Sequence, residues 1–238
     1  MPEAAQRHLA FENRLLASLP REEYERLRPQ LEPVRLPQGK ILYHAGDAVR
    51  HAYFLRGGMA SLVSVTADGR ATEVAMIGNE GVVGIPIALR ISVAPYQVVM
   101  QLPANALRIR AEPLAAALER GGALQSLMLR YTHTVLTQVA QSAACNRFHR
   151  VRARLCRWLL VSRDRVQTDT IHLTQEFLSQ MLGVPRTHVT MIAGALQEAG
   201  MIRHSRGKIQ ITDRPALEAA ACECYGIVRD ELSRFLAA

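Results

Sequence analysis

Aromatic residues and cysteines are scarce in this chain of 238 residues. Aromatic side chains make up 5% of the sequence, which argues against the stacked aromatic platforms that bind single-stranded nucleic acid. The spacing of the four cysteines gives neither a disulfide framework nor a metal-ligand pattern. We therefore interpret them as reduced packing or surface thiols and expect no metal and no cofactor. They are Cys145, Cys156, Cys222 and Cys224.

Long apolar runs are also missing. No stretch approaches membrane-spanning length, and residues 1–10 lack the apolar core of a signal peptide. We expect a cytoplasmic protein with no membrane contact. A His-x-His sequence occurs nowhere, which argues against a cupin-like metalloenzyme, so we expect no catalytic residues.

Positive charge is concentrated in one part of the chain. The formal net charge is +8, and residues 147–208 contain eleven Lys or Arg and only four acids. Phosphate groups of nucleic acid attract such a concentration of cations. The distribution predicts a nucleic-acid contact in the last third of the chain.

Residues 174–198 have the pattern of two short helices joined by a tight turn. Thr174 is a suitable N-cap, Leu178 and Leu182 recur at helical spacing, and Gly183 suits a left-handed turn. Pro185 suits the opening of a second helix. The pattern predicts a helix-turn-helix whose second helix enters a DNA major groove. The alternative is an ordinary pair of helices within a core.

The second helix has two different faces. One face is apolar and consists of Val189, Ile192, Ala193 and Leu196; the opposite face carries Thr187, Thr190, Met191 and Gly194. After Gly200, short apolar segments flank a polar turn at residues 204–207, which predicts a β-hairpin with a basic tip. Such a hairpin is typical of the wing of a winged helix and favours DNA binding over the helix pair.

The first half of the chain predicts a β-rich domain. From Val34 to about Arg110, short apolar runs alternate with turns, including a hairpin turn at Asp68-Gly69. We predict a β-roll domain over residues 1–122, a connecting helix over 123–146 and a DNA-binding domain over 147–238.

The connecting helix carries an apolar stripe. We predict that this stripe forms a parallel two-fold contact with a second chain; packing on the chain's own β domain is the alternative. The predicted dimer residues are Leu124, Met128, Tyr131, Val135 and Val139.

The next predicted helix, residues 147–161, has an apolar face and an arginine face. Phe148, Val151, Leu155 and Trp158 form the apolar face, and Arg147, Arg150, Arg154 and Arg157 form the other. Two interpretations remain for the arginines: surface salt bridges or contacts with DNA phosphates.

Several motifs resemble the family of the cyclic-AMP receptor protein and the fumarate and nitrate reduction regulator, the Crp/Fnr family. They are Tyr43-x-x-Gly46-Asp47, Tyr53-Phe54-Leu55-x-x-Gly58, Asp68-Gly69-Arg70, Gly81-x-x-Gly84 and Leu173-Thr174-x-Glu176-x-Leu178-x-x-x-Leu182-Gly183-Val184-x-Arg186. The resemblance implies an α+β fold with an N-terminal double-stranded β-helix of the cyclic-nucleotide-binding type, a long dimerisation helix and a C-terminal winged helix-turn-helix. It also implies a homodimeric transcription regulator that binds palindromic DNA and contacts RNA polymerase.

The cyclic-nucleotide site of that family does not carry over to this sequence. Ile85 occupies the position of the family's ribose-binding glutamate, and its phosphate-binding Arg-Ser pair aligns on or near Pro95-Tyr96. Arg90 is the one charged residue nearby, several positions out of register. We expect no response to cyclic AMP; the domain either binds an apolar ligand or serves as a dimer scaffold. The candidate effector residues are Gly84, Ile85, Arg90, Pro95, Tyr96 and Val139.

The DNA-reading positions match the family in part. Arg186 matches the family's guanine-reading arginine, whereas Thr187 and Met191 replace a glutamate and a second arginine. The operator is therefore expected to differ from those of the type members. The candidate DNA-binding residues are Thr174, Gln175, Glu176, Arg186, Thr187, His188, Thr190, Met191, Arg206 and Lys208.

Overall fold

The computed structural model describes residues 13–205 and 207–237. Its contacts divide the chain into two compact units. The first comprises the residues up to 62, residues 76–136 and the residues from 232; the second comprises residues 63–75 and 137–231. No helix among the described residues is long and apolar enough to cross a membrane.

Short helices and eight strands make up the β-rich part of the chain. The helices here are α1 (Arg14–Ala17), α2 (Arg21–Leu27), a 3₁₀ helix (Arg28–Gln30), α3 (Ile85–Ala88) and α4 (Ala111–Glu119). The strands are β1 (Glu32–Leu36), β2 (Ile41–Tyr43), β3 (His51–Arg56), β4 (Met59–Val65), β5 (Ala71–Ile77), β6 (Val82–Val83), β7 (Gln97–Leu102) and β8 (Ala104–Arg110).

The strands form two four-stranded sheets. One has the order β1-β8-β3-β6, in which each neighbouring pair is antiparallel, and the other has the order β2-β7-β4-β5. The four middle residues of β3 are all buried. This non-sequential order is that of a jelly-roll-like fold, so the predicted architecture is confirmed.

The glycines of the Gly81-x-x-Gly84 motif have a packing explanation in this structure. A Cβ at position 81 would overlap the ring of Tyr131. Gly84 has a φ of 126°, and a Cβ there would lie 2.7 Å from the Cβ of Ala52. Both positions therefore require glycine for backbone conformation or close approach, whether or not a ligand binds.

The long helix, α5 (Ala123–Phe148), corrects the predicted dimer seam. Leu124, Met128, Tyr131 and Val135 are all buried within this single chain, and the Tyr131 ring lies 5.6 Å from that of Phe235. Val139, in the second unit, is half-buried. A stripe already covered by its own chain is not free for a second one. The large exposed apolar side chains on α5 are instead Leu129, Leu136 and Phe148.

The helix after α5 begins later than its sequence pattern predicts. It spans Val151–Val166 (α6), and His149-Arg150 separates it from α5. Phe148 therefore belongs to α5 and is 77% exposed, while Leu155 and Trp158 are buried as predicted. Our assignment of Phe148 to the apolar face of this helix was wrong.

Both interpretations of the arginine face were also wrong for its second half. Arg154 and Arg157 are buried, each with 8% of its surface exposed. Arg154 donates from Nη2 to the carbonyl of Leu182 at 2.6 Å. These side chains act inside the second unit, because a buried guanidinium cannot reach DNA phosphates or form a surface ion pair.

The remaining elements of the chain include a winged helix-turn-helix. They are β9 (Thr170–His172), α7 (Gln175–Leu182), α8 (Arg186–Glu198), β10 (Ile202–Ser205), β11 (Lys208–Ile211), α9 (Arg214–Ala220) and α10 (Cys224–Ala237). The sheet order is β10-β11-β9, with antiparallel pairs. The hairpin β10–β11 confirms the predicted wing, and β9 adds a third strand that the sequence pattern did not predict.

Candidate DNA-binding surface

The turn between α7 and α8 has the geometry that its sequence predicts. Thr174 caps α7: its hydroxyl accepts a hydrogen bond from the backbone N–H of Phe177 at 3.1 Å. Gly183 ends the helix with a φ of 62°. The N–H of Val184 then donates to the carbonyl of Ser179 at 3.0 Å, as in a Schellman turn. Local capping chemistry therefore fixes the angle at which α8 leaves the turn.

Helix α8 buries one face and exposes the other, as predicted. Val189, Ala193 and Leu196 are buried, and Ile192 is half-buried. The opposite face is exposed over its first turns, with Met191 at 63%. The exposed candidates on this helix are Arg186, Thr187, His188, Thr190 and Met191. The alternative of a core helix pair does not fit this exposure.

Two candidate DNA-binding residues contact each other. The hydroxyl of Thr190 donates to Oε1 of Gln175 at 2.7 Å and also lies 3.1 Å from the carbonyl of Arg186. This bond joins α8 to the first residue of α7. Gln175 is half-buried, whereas Thr174 and Glu176 are exposed beside it. Gln175 and Thr190 thus have a positioning role in the free protein.

Cationic side chains flank the exposed face of α8. Arg186 makes no side-chain hydrogen bond or ion pair with any described residue, and Arg203 and Lys208 on the wing are exposed. The candidate Arg206 lies outside the described residues. The wing is tied to α8, because the N–H of His204 donates to Oε1 of Gln197 at 2.7 Å. Exposed basic groups therefore lie at the start of α8 and on the wing beside it.

Known protein families match both halves of the chain. Residues 33–120 match the model of the cyclic nucleotide-binding domain, and residues 153–220 match that of the Crp-like helix-turn-helix domain. The chain belongs to the Crp/Fnr family of transcription regulators. It is thus a DNA-binding regulator of the helix-turn-helix type, and the resemblance noted in the sequence is confirmed.

Individual relatives are distant but extend along most of the chain. A global nitrogen regulator from Synechocystis sp. is 25% identical over 207 residues, covering 82% of this chain and 92% of the relative. One from Synechococcus elongatus is 25% identical over 219 residues, covering 88% and 97%.

Solved structures share the fold. A transcriptional regulator of the Crp/Fnr family from Eubacterium rectale superposes with a TM-score of 0.67 at 18% identity, covering 87% of this chain and 96% of that one. FixK2 from Bradyrhizobium japonicum gives a TM-score of 0.68 at 13% identity, covering 81% and 98%.

The region where the Crp/Fnr family holds a cyclic nucleotide is apolar in this chain. Ile85 and Ile87 are buried, and Pro95 is exposed. Arg90 is exposed and pairs with Glu119 at 3.8 Å. Its guanidinium is therefore engaged at the surface and does not serve as a buried phosphate ligand.

Tyr96, which aligns with the family's phosphate-binding pair, lies near a second phenol, that of Tyr43. The rings of Tyr43 and Tyr96 are 6.4 Å apart. Burial raises the pKa of Tyr96 to about 12 and also raises the pKa of Tyr43. Both side chains are accordingly neutral at pH 7 and provide no cation for a phosphate.

A cleft of about 350 Å³ lies beside Tyr43. None of the six candidate effector residues lines it. Its walls are Leu42, Tyr43, Asp47, Ala48, Arg50, His51 and Tyr53.

The cysteines were interpreted from the sequence as packing or surface thiols. All four are buried, so none is a surface thiol. Cys145, Cys222 and Cys224 converge with His149 in the second unit. The sequence signal for this cluster is the two spacings Cys145-x-x-x-His149 and Cys222-x-Cys224. Each supplies only two of the four side chains, and the two pairs lie far apart in sequence.

Proposed function

We propose that this chain is a homodimeric regulator that reads a palindromic promoter site with α8 and needs no cyclic nucleotide to do so. The exposed face of α8, headed by Arg186 and flanked by the basic wing, is the observation that carries the proposal. A guanidinium fork suits O6 and N7 of guanine, and Thr187 and Met191 suit hydrogen bonds and apolar contact with thymine methyl groups.

The functional division follows the predicted domains. Residues 1–122 are the sensor-type domain, residues 123–146 the connecting dimerisation helix and residues 147–238 the DNA-binding domain. The dimer contact moves to the exposed face of α5, where Leu129 and Leu136 are 50% and 63% exposed and seven residues apart. A seven-residue apolar repeat is the spacing of a two-helix seam. Two chains joined there would offer two reading helices to one DNA site.

Ligand independence follows from the chemistry of the β-roll. A cyclic phosphate buried beside Ile85 and Ile87 without a paired guanidinium would lose more in desolvation than it regained. RNA polymerase is the expected protein partner, as the family resemblance implies.

Selection of bound duplexes from a random-sequence pool, without added nucleotide, tests the proposal. We expect inverted repeats whose half-site centres lie about 10 base pairs apart. Arg186→Ala should weaken binding by about 1–3 kcal/mol per half-site through loss of the guanine contact. Arg21→Ala, which removes an exposed arginine in the first unit, is the matched control and should bind normally.

Two results would contradict the proposal. One is enrichment of no sequence, or of a single unrepeated half-site. The other is binding that appears only after cyclic AMP or cyclic GMP is added.

A further inference from the structure

Three thiols and an imidazole meet in the second unit. The ligand atoms of Cys145, His149, Cys222 and Cys224 all lie within 4.8 Å of one another. Cys145 lies in the last turn of α5, and His149 directly follows that helix. Cys222 precedes α10, and Cys224 is its first residue. The cluster thus joins the end of α5 to the connection between α9 and α10.

The separations fit one tetrahedral ion. The Sγ atoms of Cys145 and Cys222 are 3.6 Å apart, and Sγ of Cys224 lies 3.4 Å from Nδ1 of His149. Tetrahedral zinc with ordinary bond lengths places two thiolates about 3.8 Å apart, and a thiolate and an imidazole nitrogen about 3.6 Å apart. A disulfide would bring two sulfur atoms to about 2.05 Å. The observed spacing therefore matches shared coordination and not a disulfide.

Neighbouring side chains orient the ligands. Nε2 of His149 lies 3.1 Å from Oε1 of Glu223, so the proton on this nitrogen is held by the carboxylate and Nδ1 keeps its lone pair for a metal. Nε2 of Gln141 donates to Sγ of Cys224 at 3.0 Å. A carboxylate behind a histidine ligand is the usual outer arrangement of zinc sites.

The charge around the cluster is also complementary. One Zn²⁺ with three thiolates and a neutral imidazole has a net charge of −1. Arg154 and Arg157 are buried, and the Nε atom of each has no hydrogen-bond partner among the described residues. Buried guanidinium groups need an anion nearby, and a thiolate–zinc centre would supply it.

An apolar packing role explains these residues less well. Small thiols do pack together in this core, with Ala153 beside them. Packing alone does not account for a histidine and a glutamine that both contact Sγ of Cys224, or for two buried guanidinium groups in the same unit. Groups with such polarity are costly to bury without a charged partner.

We propose that Cys145, His149, Cys222 and Cys224 form a structural zinc site within the second unit. Four protein ligands close the coordination shell, as in structural and not catalytic zinc sites. The ion holds the junction between α5 and α6 against the start of α10. This site is separate from the DNA-reading face, and its test needs no DNA.

Metal content is the first test. The full chain, produced with zinc in the medium and purified without chelators, should contain about one zinc per chain by mass spectrometry of the metal. Replacing the zinc with Co²⁺ should give the visible absorption of tetrahedral thiolate coordination. Cys224→Ser should lose the zinc and this absorption. The fourth cysteine, Cys156, is buried outside the cluster, so Cys156→Ser is the matched control and should retain both.

A surface variant keeps the test decisive if Cys224→Ser fails to fold. The Glu223 side chain is 70% exposed, so Glu223→Gln should fold normally while holding zinc about 10-fold more weakly in a chelator competition. A folded native chain without zinc, or with a Cys145–Cys222 disulfide in its place, would overturn the site. So would equal zinc loss in Cys156→Ser and Cys224→Ser, or unchanged zinc affinity in Glu223→Gln.

Discussion

The two units of the chain differ in where they bury positive charge. In the second unit, Arg154, Arg157 and Arg165 are buried. In the described part of the first unit, no arginine or lysine is buried. Over its described residues, the unit that resembles a nucleotide-binding domain thus offers no buried cation to an anionic ligand, whereas the DNA-binding unit has three buried arginines. Net charge alone did not distinguish these roles, because it counts buried and exposed arginines alike.

The exposed faces of the units differ as well. The first unit exposes the apolar Leu129 and Leu136 on α5, and the second exposes the polar face of α8 around Arg186. An exposed apolar face on a helix favours protein contact, and a polar face beside a basic wing favours DNA. One helix therefore serves assembly in our proposal and the other recognition.

Charge placed on the apolar face of α5 should have the largest effect. Leu136→Asp should weaken self-association about 100-fold or more, because a carboxylate in a helix seam would be buried without a partner. Analytical ultracentrifugation across a concentration series measures the shift from dimer to monomer. Leu89→Asp, at an exposed leucine of the β-roll, is the control and should stay dimeric. If the Leu136→Asp chain remains dimeric, the dimer contact does not lie on this face of α5.

The difference in buried charge can be tested with two arginines that make the same kind of bond. Arg154 donates to the Leu182 carbonyl inside the second unit, and Arg120 donates to the Ala116 carbonyl at the surface of the first. Arg154→Ala should lower the free energy of unfolding by about 2–3 kcal/mol, since the carbonyl loses a charged donor in a buried setting. Arg120→Ala should cost less than about 0.5 kcal/mol. Urea unfolding followed by circular dichroism measures the stability of both variants. Equal losses of stability would contradict the proposed difference between buried and exposed arginines.

The parts of the fold governed by local chemistry were predictable from the sequence. Thr174 and Gly183 bound α7 because a hydroxyl caps its first turn and only glycine readily takes the left-handed conformation at its end. The Asp68-Gly69 turn forms for the same kind of reason, with a φ of 82° at Gly69. These residues determine their own backbone with little help from distant neighbours.

The parts that depend on distant residues were not predictable. The stripe of α5 is visible in the sequence, but whether Tyr131 meets a second chain or Phe235 of its own depends on the tertiary fold. The break at His149-Arg150 contains no glycine or proline to mark it. The cysteine cluster joins positions 77 residues apart, so neither half showed a complete set of ligands.

A smaller effect is expected at the N-cap of α7, where Thr174 is exposed. Thr174→Ala removes the hydroxyl that accepts from Phe177 and should lower the free energy of unfolding by about 1 kcal/mol. Thr174→Ser keeps an accepting hydroxyl and is the matched control. If thermal unfolding shows the same loss of stability in Thr174→Ala and Thr174→Ser, the loss comes from the threonine methyl group and not from the cap.

The smallest effect is expected in the first unit, where adding cyclic AMP should change neither the melting temperature nor the affinity for DNA. A ligand that binds only the folded chain stabilises it by mass action and so raises its melting temperature. At a ligand concentration of 100 times its Kd, the gain in stability is about 2.7 kcal/mol. Ile85 and the neutral phenols Tyr43 and Tyr96 offer no cation to the cyclic phosphate. A thermal-shift titration to millimolar nucleotide, with cyclic GMP alongside, measures this directly. A saturable rise in melting temperature would mean that a cation elsewhere in the chain reaches the cyclic phosphate. The difference in buried charge between the two units would then not explain ligand independence.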